Sequence, residues 1–361
     1  MSMIAIQENE YFPLLFSDLL FSSPSKDDDF TYPTYNTRID LHMDWGMHPA
    51  RMIQKTYIVH PNIAVVTAGY AHRIRYFINE IKQYFLNHEA SMSNLDCFTS
   101  SYPFEVGETY GICVADSKNG TFDYRYFGTW NEKTYAEVGR IRTAASGGID
   151  FLQVIDSFDE TGYLLPVDSY RNSITNACIC FSNVLGDERY YGSDIKHAWG
   201  AGFEIAVYDY ANKQFRKLDD INYIVWRAKY DIDTEKLDVS PLSIMTYKYF
   251  DEVLCICSHT GDCPQAYMIL PIYMQREDFD MSKAPTEPIV SATRICNIFQ
   301  VEIKEKVKPI CVFVEDNTDS QAIFLKYVEE NGVKKLAVFC QTKINEQLGI
   351  IAKNLAKELI N

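Results

Sequence analysis

Ser2 is the residue with the most chemistry open to it. Methionine aminopeptidases accept a small second residue, so removal of Met1 would leave Ser2 with a hydroxyl and a free α-amine. An α-amine titrates near neutrality, at roughly 7.7–8.0 in model peptides. It can therefore accept the proton of its own hydroxyl, and one residue supplies both nucleophile and general base. Such a site needs a cation to keep the amine neutral, a carboxylate to hold that cation, and a backbone N–H for the oxyanion.

Each part has a candidate. Asp18 follows Ser2 by sixteen residues, and the pair Ser17-Asp18 interrupts the apolar run from Phe12 to Phe21. Lys55 opens a predicted hairpin, and Gly69 closes it fourteen residues later, just before a predicted helix.

The elements that must position these residues follow from periodicity. Residues 2–7 read as a first strand, and 12–21 as a buried strand pair or one long bent strand. Residues 22–52 read as a weakly structured excursion rich in Ser, Pro, Asp and Tyr. Lys55–Val59 and Ile63–Ala68 form a hairpin around His60-Pro61-Asn62. Ile74, Phe77, Ile78, Ile81 and Phe85 stand at helical spacing and predict a helix over 70–88. Strands are expected at 109–115, 121–127 and 136–145, helices at 149–157 and 167–185, and a hairpin at 203–218. Locally paired strands with helices in two blocks predict an α+β fold, a four-layer αββα sandwich. The character changes near residue 218. Strands follow to about 314, then a helix over 320–331, a strand over 335–339 and a helix over 345–359. The expected domains are therefore 2–217 and a smaller accessory α/β region, 218–361.

The block Lys55-Thr-Tyr-Ile-Val … Asn62-Ile-Ala-Val-Val-Thr-Ala-Gly69 before a long amphipathic helix resembles a proteasome β-type subunit of the N-terminal-nucleophile hydrolase superfamily. So do Phe16-Ser17-Asp18, Ala145-Ser146-Gly147-Gly148 before a helix, and Asp187 followed by Tyr190-Tyr191-Gly192. The resemblance covers about residues 2–217. It implies the same sandwich and an amidohydrolase or threonine-peptidase-like protease. In that reading Ser2 is the nucleophile, Asp18 orients Lys55, and Lys55 lowers the pKa of the amine. The Gly69 N–H forms the oxyanion hole, and Ser146 and Asp187 support the amine. It also implies a peptide or amide substrate, a homo-oligomer, and no metal or organic cofactor. The chain departs from the family pattern in several places. The segment between Asp18 and Lys55 is longer, Leu19 replaces the usual Arg, Tyr190 stands where another Ser is usual, and the tail has no counterpart. These departures frame a second reading, an inactive scaffold that self-assembles or binds a partner.

The formal net charge of −15 argues against nucleic acid or anionic membrane as the main partner, because both need clustered Lys and Arg. No apolar run reaches the roughly 18 residues of a membrane span. Ten Cys without a secretion signal read as free thiols in a cytoplasmic protein. A third reading, a metal-binding protein, rests on Cys255, Cys257, His259 and Cys263. However, Cys255 and Cys257 share one strand face, where buried thiols are ordinary. Asp40, His42, Asp44 and His48 form a weaker ligand set. Val312–Asp319 resembles the start of a receiver or Toprim domain but is expected to be an ordinary strand, loop and helix. Lys26–Asp29 reads as a solvated loop.

Overall fold

The computed structural model describes residues 2–24, 30–34, 46–191, 193–260, 263–283, 294–303, 306–316, 323–330, 333–340, 346, 349–351 and 353–354. It is an α+β protein with several antiparallel sheets. The chain divides into two compact units. The first holds Met1–Leu218 with the segments Asp251–Leu254 and Ile269–Met281, and the second holds the remainder.

The first unit opens with strands β1 (Ile4–Glu8), β2 (Leu14–Asp18), β3 (Leu20–Ser23), β4 (His48–Met52), β5 (Thr56–His60) and β6 (Ile63–Ala68). Helices α1 (Ala71–Phe85) and α2 (Met92–Ser101) follow. Next come β7 (Thr109–Asp116), β8 (Thr121–Phe127), β9 (Trp130–Tyr135) and β10 (Gly139–Ala144). Helices α3 (Gly148–Glu160), α4 (Tyr170–Tyr191) and α5 (Ser193–Lys196) precede β11 (Phe203–Asp209) and β12 (Gln214–Lys217). One sheet has the order β12-β11-β2-β1-β10-β9 and a second β5-β6-β7-β8, while β3 pairs with β4.

Packing follows the apolar pattern. Ile74, Phe77, Ile78, Ile81 and Phe85 of α1 are buried in a cluster with Tyr57, Ile63, Val65, Tyr110 and Ile112. The alternate residues Ala64, Val66 and Ala68 belong to another cluster with Ile4, Ile6, Leu15, Ala144 and Ala206. A strand's successive side chains face opposite ways, so β6 carries one cluster on each face. On the first sheet, Phe16 meets Phe151 of α3 and Phe181 of α4 at ring separations of 5.6 and 5.5 Å. Truncating a fully buried ring such as Phe77 costs about 3–5 kcal/mol.

Several expectations are corrected. The run 12–21 holds the expected strand pair, β2 and the start of β3, but breaks at Leu19 rather than at Ser17-Asp18: the Leu19 N–H leaves the ladder for the Gly200 and Gly202 carbonyls at 3.1 and 3.0 Å. The strand expected over 136–145 is present as β10, but its hairpin partner β9 was not anticipated. Helix α2 was not anticipated, because it is short and buries only Leu95, Phe98 and Thr99. Its start signal is the Ser91 side chain, which accepts from the Asn94 N–H. Part of the excursion is packed: Tyr32 and Phe30 lie with Leu20, Ile195, Ala198 and Ala201.

In the second unit, β13 (Ile221–Asp231) pairs antiparallel with β14 (Lys236–Phe250) and parallel with β17 (Arg294–Ile303). With β15 (Val253–Thr260), β16 (Cys263–Ile269) and β18 (Lys306–Asp316) the order is β16-β15-β14-β13-β17-β18. The expected α/β character of the tail is corrected: among the described residues it is mostly antiparallel sheet. The helix expected over 320–331 is instead strand β19 (Ile323–Glu330), paired with β20 (Val333–Cys340). Ile323, Phe324, Tyr327 and Val328 are strand formers, and Asn331-Gly332 is a strong hairpin signal.

Candidate active site

Ser2 lies just before β1 and is 6% exposed. Its backbone nitrogen donates to Ser146 Oγ at 3.1 Å. Ser146 Oγ donates to the Ser2 carbonyl at 3.3 Å, and the Gly147 N–H donates to the same oxygen at 2.9 Å. The β1–β10 ladder produces this meeting, because Ile4 pairs with Ala144 and the chain continues from both ends toward one point. Ser146 is not the cap of α3. That place belongs to Gly147, which makes no side-chain cap bond.

The neighbouring ladder places Asp18. Ile4 also pairs with Ser17, and the Met3 N–H donates to Asp18 Oδ1 at 2.8 Å. Lys55 Nζ donates to the same oxygen at 2.6 Å and to the Leu20 carbonyl at 2.6 Å. The Gly200 N–H donates to Asp18 Oδ2 at 2.9 Å. Burial pushes the Asp18 carboxyl up, and burial pushes the Lys55 ammonium down. In both cases their mutual attraction opposes the shift. A lysine so placed gives up its proton more readily than a solvated one.

Gly69 follows β6 with φ +135°, a conformation that L side chains rarely adopt, and an added Cβ would meet the Gly107 carbonyl oxygen at 2.9 Å. It is exposed, and among the described residues its N–H has no hydrogen-bond acceptor. Ala68 before it packs in the cluster that holds Ile4 and Ala144, at the end of the sheets where Ser2 lies. A cavity of about 400 Å³ opens there, lined in part by Gly107, Glu108, Thr129, Asn131 and Ala145.

Hydrogen bonds thus join Ser2 to Ser146 and Lys55 to Asp18, and the Met3 N–H ties the residue after Ser2 to Asp18. Asp187 is not joined to them. It is half-buried on α4, makes no hydrogen bond among the described residues, and has its carboxyl pushed up to about 6 by burial. The next residue, Glu188, is turned inward, as successive helical residues point about 100° apart. Glu188 Oε2 accepts from the Ala201 N–H at 3.0 Å and Oε1 from the Thr34 hydroxyl. Burial pushes Glu188 up to about 8.

Three supporting residues had no sequence signal: Glu188, Gly200 and Glu204. Gly200, at φ +112°, ties the segment after α5 to Asp18. Glu204 on β11 is 1% exposed and accepts from the backbone N–H groups of Lys55 and Thr56.

Among the described residues, no group of three His, Cys, Asp or Glu is placed to hold a metal ion. Burial raises the Cys255 thiol to about 12 and the Cys257 thiol to about 11. Asp40, His42, Asp44, Lys26–Asp29, Gly192 and Asp319 lie outside the described residues, as do Met1 and the side chains of Tyr190 and Cys263. Among the described residues no helix is long and apolar enough to cross a membrane.

No family model matches the sequence, and no curated protein matches it either.

Proposed function

We propose that the chain is an N-terminal-nucleophile hydrolase of proteasome-like type, a cytoplasmic peptidase or amidohydrolase whose first unit is an αββα sandwich. The observation that carries this reading is the shared anchoring of the N-terminus: Ser2 N on Ser146 Oγ, Met3 N on Asp18, and Lys55 on Asp18. After Met1 is removed, Ser2 Oγ attacks the amide carbonyl carbon and its own α-amine takes the hydroxyl proton. The Gly69 N–H holds the oxyanion. The protonated amine returns that proton to the leaving amine as the C–N bond breaks. The α-amine then deprotonates water, which attacks the acyl ester. The ester C–O bond breaks, and Ser2 Oγ regains a proton.

The test joins two measurements. Intact mass of the purified protein should lack Met1. A peptide electrophile that bonds both the hydroxyl and the amine of an N-terminal serine should add once, at Ser2, and not to Ser2→Ala. A retained Met1, or equal labelling of Ser2→Ala, would overturn the reading. One observation favours the second reading, an inactive self-assembling scaffold. Asp187, which the family resemblance assigns to the amine, makes no bond to it. Absence of labelling together with a stable oligomer in solution would select that reading.

A further inference from the structure

We propose that Glu204 is the positioning residue for Lys55, reaching from one sheet of the first unit to fix the edge of the other. Lys55 stands immediately before β5, the edge strand of its sheet. An edge strand leaves backbone N–H groups without ladder partners, and burying them unpaired is costly. Glu204 Oε2 meets this need by accepting from the Lys55 N–H at 2.8 Å and the Thr56 N–H at 3.3 Å. Two successive backbone N–H groups thus share one carboxylate oxygen. On the other side the Lys55 carbonyl accepts from the Thr67 N–H at 2.8 Å. The Lys55 backbone is therefore held at both ends, and its side chain can reach only inward to Asp18 and Leu20.

Glu204 is itself fixed. Its place on β11 lies opposite Ser17 of β2, whose hydroxyl donates to Oε2 at 3.4 Å and meets Thr56 Oγ1 at 2.8 Å. Lys217 of β12 pairs with Oε1. The ionisable groups around this carboxylate are Lys55, Lys217 and the phenols of Tyr57 and Tyr273, and Asp18 is the other carboxylate that acts on Lys55. Glu204 thus has a second effect, favouring the charged form of Lys55.

The catalytic meaning of this role rests on the hydrolase reading, but the role itself does not. Nitrogen-15 NMR of lysine-labelled protein, with the Lys55 signal assigned from Lys55→Met, reads the titration midpoint of Lys55 directly. In Glu204→Gln the midpoint should fall, because the charge that favours the ammonium form is lost. Ser2 labelling near neutral pH should slow by about tenfold. If Glu204→Gln fails to fold because Lys217 loses its partner, Glu204→Gln with Lys217→Met serves the same purpose. It should also lower the midpoint, because Asp18 and Glu204 are the charged groups acting on Lys55. An unchanged midpoint in a folded variant overturns the proposal. If the wild type never labels, the hydrolase reading falls while the NMR result still decides the role of Glu204.

Discussion

Lys55 Nζ and Asp18 Oδ1 lie 2.6 Å apart, with both side chains almost wholly removed from water. Such a pair is weak evidence of net stabilisation, but breaking it from one side is expensive, at about 3–5 kcal/mol. Lys55→Met should therefore lower stability by about that amount in chemical denaturation. Adding Asp18→Asn should recover much of the loss, because the amide oxygen keeps an acceptor for the Met3 or Gly200 N–H. Neither variant should label at Ser2. Recovery of labelling with recovery of stability would mean that the pair acts only as a structural prop.

Glu188 imposes a pH dependence of known sign. Its folded pKa of about 8 lies above the ordinary value of 4.5. Between these values the native state keeps a proton that the unfolded chain has released, so stability falls as pH rises through that window and levels above it. Asp187, raised to about 6, adds the same sense at lower pH. Glu188→Gln should flatten the slope between about pH 6 and 8 and stabilise the protein at pH 8 by on the order of a few kcal/mol. The Gln oxygen can accept from the Ala201 N–H while its amide donates to Thr34. Denaturation midpoints at several pH values check this, and parallel slopes for wild type and variant would refute it.

Gly200 lies between these two carboxylates. Its N–H serves Asp18, and a Cβ there would stand 2.4 Å from Glu188 Oε2, at φ +112°. Gly200→Ala should cost at least about 1–3 kcal/mol and weaken Ser2 labelling through the displaced Asp18. Pairing it with Glu188→Gln should recover little beyond what Glu188→Gln gains by itself at the same pH, since the backbone strain remains. Thermal melts of the single and double variants decide the point.

The sequence made the frame of the site legible but not its supports. Asp18 stood out as a polar residue in an apolar run, Lys55 as the start of a hairpin and Ser146 only through the family resemblance, while the strand ladders fix where each of these chain segments arrives. Ile74 to Phe85 marked α1 through period and burial together. Glu204 was not readable: it occupies one place in the apolar strand Phe203–Asp209, and the backbone N–H groups it serves, those of Lys55 and Thr56, lie at the edge of another sheet. Asp187 and Glu188 are chemically alike and adjacent, so only the rotation of α4 tells which one is buried. The run 323–330 reads equally as a polar helix or a strand until its pairing with 333–340 is known.

Ser146 separates the two meanings that the N-terminal geometry can have. Its hydroxyl accepts from Ser2 N and donates to Ser2 O, while the Gly147 N–H independently holds that carbonyl at 2.9 Å. Removing the hydroxyl therefore takes away this acceptor of the Ser2 nitrogen without orphaning the carbonyl. A single hydrogen bond of this kind is worth about 0.5–1.5 kcal/mol to the fold, so Ser146→Ala should melt within a few degrees of wild type. If the hydroxyl steadies the amine as it takes and returns the proton, the effect on chemistry is larger. Loss of a positioned proton-transfer partner costs on the order of 10²-fold. Ser2 labelling should fall by that order and its pH profile should move, since the amine would titrate in a changed environment. An unchanged labelling rate with the same small loss of stability would make Ser146 only a fastener of the chain end.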